Sequence, residues 1–255
     1  MSDAPVEQAT KRILGYDIDA RPASACVGEA LARVREGGRC RWLACINPHS
    51  YAVARADRAF GAALRSADWL VPDGAGIVLA AKALSAPVAE RVTGSDVFDG
   101  VMRGLAERGG GRVFFLGSTE AVLARVRARA ARELPNVAVE TLSPPFRQTW
   151  SEAETSAMVA AVNAARPDVL WVGMTAPKQE KWLADNRARL EVPFAAAIGA
   201  VFDFYAGTVQ RSHPAFQRVG LEWLPRLVQQ PRRLWRRTFV SAPVFLWDVA
   251  RARAA

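Results

Sequence analysis

The strongest constraint on the fold of this chain is an alternation of short, continuously apolar runs with segments of helical length. The apolar runs are ILGYDIDA (13–20), CRWLACIN (40–47), WLVPDG (69–74), RVFFLGS (112–118), VAVETL (137–142), DVLWVGM (168–174) and FAAAIGAVFDF (194–204). Helices are predicted at 24–36, 50–66, 75–84 and 96–108, from about 119, and at 151–165 and 177–190. A strand that is apolar on both faces must be covered on both faces, and in a parallel sheet the crossover helices supply that cover. The predicted class is α/β, a Rossmann-like parallel sheet with helices on both faces. At 255 residues and 51% apolar composition, the chain can bury one large core and still carry an appendage. No internal repeat or low-complexity linker interrupts it.

Several function classes lose support early. No run of 18 apolar residues suggests a membrane span, and MSDAPVEQATKR lacks the apolar centre of a signal peptide. Cys26, Cys40 and Cys45 form no CxxC and the chain has only two histidines, so a structural zinc site is not expected. These features predict a cytoplasmic, reduced protein. No GxGxxG follows a strand and no P-loop is present, which removes the main support for nicotinamide binding and ATP hydrolysis. His49 and His213 are isolated, and no GxSxG accompanies them. Asp17-Ile-Asp19 has the DxD spacing of a divalent-metal site, but it lies at the N-terminus, far from the strand ends, and no metal is expected there.

Polar residues gather where the predicted strands end, which in an open α/β sheet is where ligands bind. Asp73 ends an apolar run and is followed by Gly74 and Gly76, whose missing side chains allow close approach to the backbone. Its carboxylate reads either as a general base or as the N-cap of the following helix. Asn47 follows the second run, Gly117 and Ser118 the fourth, and Asp203 closes FDFYAG. In Met174-Thr-Ala-Pro-Lys-Gln-Glu180, Pro177 opens a helix whose free amides attract anions. Lys178 and Gln179 there can reach a phosphate or a uracil edge, or simply be solvated. In the loop before the 96–108 helix, Ser95 or Asp96 is the expected cap, and Arg91 either binds a phosphate or pairs with Glu90.

Charge separates the tail from the body. From residue 211 onward, nine arginines face only Glu222 and Asp248, so the tail carries +7 of the chain's net charge of +9. Trp223, Trp235 and Trp247 alternate with arginines, the pattern of helices that lie in a membrane interface with Trp at headgroup depth and Arg on anionic lipid. The plainer reading is a terminal helix packed on the body with its arginines in water. Confinement of the charge to one tail, without a nucleic-acid motif, argues against nucleic acid as a partner. The expected organisation is a core over 1–207 and an appendage over 208–255.

INPHS, ADWLVPDGAGIV, ERVTGSD, FFLGSTE, APKQEKW, FDFYAG and GLEWLPRLVQQPRRLWRR occur in order, and with these seven blocks the chain resembles the WecG/TagA/CpsF glycosyltransferase family from about residue 13 to 239. The resemblance implies an inverting, metal-independent enzyme without a cofactor. Such an enzyme moves a sugar from a UDP-sugar to a polyprenyl-diphosphate-linked saccharide at the inner face of the cytoplasmic membrane, in synthesis of teichoic acid linkage units, enterobacterial common antigen or exopolysaccharide. It implies a Rossmann-like core with a C-terminal membrane-contacting appendage. It assigns Asp73 as the catalytic base, Asn47 as a polar neighbour in the pocket, and Arg91 to the substrate phosphates or sugar. Gln179 and Asp203 match the rim that holds the nucleotide-sugar, and Gly117, Ser118 and Lys178, read from the strand ends, are expected to bind substrate. Arg226, Arg232, Arg233, Arg236 and Arg237 fall to an appendage that meets diphosphate and lipid headgroups. Two departures touch the donor pocket. Cys45 stands where many relatives carry Thr, a better hydrogen-bonder, and GMTAPKQE stands where many carry a glycine-containing loop before PKQE.

The physical logic agrees with the resemblance. A sugar hydroxyl is hardly ionised at neutral pH, so a carboxylate that accepts its proton during attack contributes about 10²–10⁴-fold. Arginines and helix amides can stabilise the departing UDP. Apolar tail residues also allow a homo-oligomer to form away from lipid. The rival reading is a non-catalytic peripheral module that binds UDP-sugar or anionic lipid through its tail.

Overall fold

The computed structural model describes residues 10–209 and 237–254. It is an α/β protein of the Rossmann-like type, as expected. The first two strands, β1 (Thr10–Ile13) and β2 (Tyr16–Asp19), form a separate antiparallel hairpin. Leu14 and Gly15 turn it at φ 48° and 83°, the pair of left-handed residues that matches the twist of a tight hairpin. Six further strands form a parallel sheet flanked by helices, in the order β4-β3-β8-β7-β5-β6. They are β3 (Arg41–Ile46), β4 (Trp69–Pro72), β5 (Gly111–Gly117), β6 (Val137–Leu142), β7 (Val169–Gly173) and β8 (Phe194–Ala197). β4, β7 and β8 are buried along their whole length, which is why they read as unbroken apolar runs.

The chain divides into two compact units, one of residues 1–23, 45–93 and 210–255, the other of 24–44 and 94–209. In the first, α2 (Pro48–Ala56) and α3 (Arg58–Ser66) replace the single helix expected over 50–66. Asp57 makes the break. Its extended backbone ends α2 with an N–H to Val53 O, and its carboxylate caps α3 by accepting from Phe60 N at 3.0 Å. α4 (Ala75–Ala83) follows β4. A π-helical turn (Arg237–Ser241) leads into the C-terminal helix α10 (Ala242–Ala254), and the Phe245 ring of α10 meets the Tyr51 ring of α2 edge-on at 5.4 Å.

In the second unit, α1 (Ala23–Glu36), α5 (Gly94–Glu107), α6 (Glu120–Glu133), α7 (Glu152–Ala165), α8 (Lys178–Asn186) and α9 (Val201–Tyr205) accompany the strands. Gly100 lets α5 approach α1, since a Cβ there would lie 2.6 Å from Val27 Cγ2. Phe98 gathers Phe115, Trp171 and Tyr205 around it at ring distances of 5.0–6.0 Å. Three expected boundaries move. α5 starts at Gly94, so Ser95 and Asp96 lie in its first turn instead of ahead of it, and α8 ends at Asn186 instead of reaching 190. The run 194–204 is a strand followed by a helix, and Asp203 sits in α9 instead of closing a strand. An unbroken apolar run has no period that separates a buried strand from a buried helix.

A buried side-chain amide makes that last division. Gln179 Oε1 accepts from Met174 N at 3.3 Å and Gly199 N at 3.2 Å, joining the residues just past β7 to those just past β8. A Cβ at Gly199 would come within 2.8 Å of that oxygen, so the clamp requires glycine there. Gln179 Nε2 donates to Glu180 Oε1 at 2.9 Å, and Glu180 is 3% exposed. Its Oε2 has no hydrogen-bond partner among the described residues, and burial pushes its carboxyl up to about 7. Between the ordinary carboxylate range and that value, the folded chain holds a proton that the unfolded chain has lost. Stability is therefore full at acid pH and declines as pH rises through about 7. Glu180→Gln removes this slope. In thermal melts the variant is expected to gain on the wild type between pH 5 and pH 8, and parallel pH profiles would contradict the assignment.

Candidate functional site

In the first unit, the end of β4 is bracketed by backbone hydrogen bonds. Asp73 N donates to Ile46 O at 2.8 Å, extending the pairing with β3 one residue past the strand. Val92 N donates to Pro72 O at 3.0 Å, which lays Arg91 along the other side of β4. Asn47, Asp73 and Arg91 are thereby brought together, each half-buried. Glu90, the alternative partner for Arg91, accepts instead from Ala23 N at 2.8 Å. Cys45 is the penultimate residue of β3 and is also half-buried.

The cap reading of Asp73 does not describe α4. The N-cap of that helix is Gly74, at φ 102° and ψ 147°, a conformation open to glycine and strained for other residues. Asn47, by contrast, is a true cap. Its Oδ1 accepts from His49 N and Ser50 N, both at 3.0 Å, and Ser50 Oγ accepts from Asn47 N at 2.8 Å, completing a capping box at the start of α2. The starts of α2 and α4 meet because Gly76 has no side chain. A Cβ there would stand 2.6 Å from Pro48 Cγ. Neither first turn contains an acidic residue, so two positive helix ends meet near the end of β4, where Asp73 stands. This arrangement can hold an anionic group next to a proton acceptor.

In the second unit, the expected site residues take more varied roles. Gly117, at φ 119°, and Ser118, at φ 60°, turn the chain out of β5, and Ser118 N donates to Gly173 O at 2.9 Å. A Cβ on Gly117 would collide with that same carbonyl. Lys178 Nζ donates to Arg147 O at 2.9 Å and lies over the Phe146 and Trp150 rings at 4.7 and 5.5 Å, so the 143–151 loop holds it. Gln179 is the buried clamp between β7 and β8. Asp203 organises the turn after α9: its carbonyl accepts from Thr208 N at 3.0 Å and its Oδ1 from Thr208 Oγ1 at 3.2 Å.

Both carboxylates of the DxD pair with arginines. Arg12 holds Asp17 at 2.7 Å, and Arg21 holds the buried Asp19 in a fork at 3.0 and 2.7 Å. Among the described residues, no three His, Cys, Asp or Glu side chains converge as a metal-binding set. Arg226, Arg232, Arg233 and Arg236 lie outside the described residues, as does His213, and of Arg237 only its place in the π-helical turn is described.

Sequence reasoning missed one set of contacts. His49, expected to stand alone, meets Ser241 Oγ through Nδ1 at 2.8 Å. Tyr51 Oη and Arg55 Nη1 each donate to Asp248 Oδ2 at 2.9 Å. Burial together with the Asp248 hydrogen bond pushes the Tyr51 hydroxyl up to about 12, so it remains a donor at any physiological pH. Asp248 was the one signal, a single acid in the final arginine-rich stretch.

A profile described as the Glycosyl transferase WecG/TagA/CpsF family matches residues 11–255. A protein of Bacillus spizizenii strain W23 named N-acetylglucosaminyldiphosphoundecaprenol N-acetyl-beta-D-mannosaminyltransferase is 30% identical over 214 residues, covering 84% of this chain and 80% of its own length. Proteins of the same name from Staphylococcus aureus strains MW2 and NCTC 8325 are 26% identical over 212 residues, covering 83% of this chain and 80% of theirs. The match runs through both compact units, and the chain is a glycosyltransferase belonging to the WecG/TagA/CpsF family.

Proposed function

We propose that this glycosyltransferase moves an N-acetylhexosamine, of the N-acetylmannosamine type, from a UDP-sugar onto polyprenyl-diphosphate-linked N-acetylglucosamine. The acceptor class comes from the names of the relatives, which specify a diphosphoundecaprenol-linked acceptor and a β-linked product. Asp73 is the general base. The acceptor hydroxyl oxygen attacks the anomeric carbon, its proton passes to the Asp73 carboxylate, and the bond from that carbon to the UDP oxygen breaks with its electrons leaving on UDP. A β product from an α-linked nucleotide sugar requires attack from the opposite face, hence inversion.

The observation that supports this reading is the place of Asp73 at the end of β4, directly before the start of α4, which meets the start of α2. Positive helix ends favour the diphosphate and the charge that grows on the leaving group. Arg91 and the arginines of the 208–255 appendage add fixed charge of the same sign. These groups supply the stabilisation a divalent cation would give, so transfer proceeds without added metal. Cys45 belongs to the substrate-binding residues of the first unit, and Gly117, Ser118, Lys178, Gln179 and Asp203 to those of the second, where Gln179 holds the loops past β7 and β8.

Membrane contact falls to the C-terminal helix. Phe239, Val240, Leu246 and Trp247 are all at least half exposed, and Arg251 and Arg253 follow on the same segment. Exposed Trp and Leu flanked by arginine suit the interface of an anionic bilayer. Among the described residues no helix is long and apolar enough to cross a membrane. The protein therefore works as a peripheral enzyme on the cytoplasmic face, where UDP-sugars are made.

Asp73→Asn is expected to lower transfer by about 10²–10⁴-fold while UDP-sugar binding measured by calorimetry persists. Full turnover in that variant would remove the proposed base, and an unmutated protein that binds UDP-sugar but transfers nothing would favour a non-catalytic module. Activity on a short-chain lipid-diphosphate acceptor should survive EDTA, and strict dependence on manganese would overturn the metal-free step. Leu246→Glu with Trp247→Glu should abolish co-sedimentation with phosphatidylglycerol vesicles, whereas undiminished sedimentation would move the membrane contact elsewhere.

A further inference from the structure

Resting on the membrane-peripheral reading, we infer that Asp248 is a positioning residue that locks the C-terminal helix onto α2 and so sets where the membrane-facing side of α10 stands relative to Asp73. Three polar contacts make the lock, each closing more than 190 residues of sequence: Tyr51 and Arg55 on Asp248, and His49 on Ser241. The Asp248 side chain is 14% exposed, and Ser241 is buried. Phe245 and Val249 bury themselves on the same side of α10, while Leu246 and Trp247 remain exposed. The polar lock is therefore turned inward, away from the exposed apolar residues.

The other end of the connection is the base. Tyr51 lies one turn into α2 from Asn47, about 6 Å along the axis. Asn47 caps that helix directly after Ile46, whose carbonyl holds Asp73 N, and Pro48 packs on the start of α4. The path from Asp248 to Asp73 is thus a side-chain hydrogen bond to Tyr51, one turn of α2, the Asn47 cap and a backbone hydrogen bond. Tyr51 is braced from behind by Tyr16 at 6.1 Å, and Tyr16 in turn lies under the Arg65 guanidinium at 5.3 Å. A helix serving only as a lipid anchor would need apolar contacts on one side and would not require a mostly buried carboxylate held by two donors. An acceptor whose diphosphate sits at the bilayer surface must meet its base at one height, and the lock fixes that height.

The test uses the full-length protein with Asp248→Asn, and with Tyr51→Phe as a milder variant that keeps the ring contacts. Each is assayed with polyprenyl-diphosphate-linked N-acetylglucosamine embedded in phosphatidylcholine–phosphatidylglycerol vesicles and with a water-soluble short-chain analogue. Hydrogen exchange over 242–254 gives a readout independent of activity. Asp248→Asn should lower kcat on the embedded acceptor at least ten-fold and on the soluble one no more than two- to three-fold. UDP-sugar affinity and vesicle sedimentation should stay unchanged, and amide protection in α10 should fall about ten-fold. Asp248→Glu should recover part of both losses. Equal losses on the two acceptors would mean that α10 merely supports the core, and unchanged protection would mean that Asp248 locks nothing. Either result overturns the inference. A wild type inactive on both acceptors would instead overturn the functional reading, and the exchange data would still decide the lock.

Discussion

The hydrogen bond from Asp73 N to Ile46 O carries the pairing of β4 and β3 one residue past the end of β4, and the arrangement of the candidate site depends on it. The backbone of Asp73 is tied there, directly before Gly74 and α4. Gly74 then turns through a φ open to glycine, and α4 begins with no side chain across its first amides. Gly76 completes the geometry by omission, because only a residue without a Cβ lets α4 start against Pro48. Asp73 thus stands directly before a helix start that meets a second one. The proposed transfer from a nucleoside diphosphate draws on that pairing of a carboxylate residue with positive helix ends.

Several polar side chains in the same blocks are spent on holding the backbone. Asn47 spends its Oδ1 on the cap of α2, and Gln179 spends its Oε1 on two amides past β7 and β8. Such residues affect chemistry by fixing loops, so replacing them would disturb a pocket without removing a catalytic group. Lys178 is drawn off in another direction, to the Arg147 carbonyl and two aromatic rings. Glu180 is the costly member of the set. A buried acid with one unpartnered oxygen stays neutral to about pH 7, and the clamp beside it benefits from that neutrality.

Much of the fold was legible from the residues alone. β6 was read to the residue, and β3, β5 and β7 to within about a residue at either end, because strands covered on both faces are written in unbroken apolar letters. The errors share one physical origin. A helix pattern over 50–66 concealed the cap at Asp57, and an apolar run over 194–204 concealed a strand, a turn and a helix. In both places a single hydrogen-bonding group decides where one element stops, and periodicity does not register one atom's partner. The site followed the same division. Asp73 and Asn47 were singled out because strand ends are recognisable, and the backbone sets them at the ends of β4 and β3, whereas the contact of His49 with Ser241 joins residues 192 positions apart.

The amino-acid order by itself determined the α/β class, the strand ends where a site could form, the basic and aromatic character of the tail, and the family to which the chain belongs. These follow from local letters: apolar runs, glycines, a carboxylate after a strand, arginines gathered at one end. Tertiary structure alone decided which polar groups are spent inward, that Gly74 instead of Asp73 begins α4, and that Asp248 meets Tyr51 and Arg55. The reason is that burial and hydrogen bonding depend on what packing brings near. A residue's type states what it can donate or accept, and only the folded chain supplies the partner.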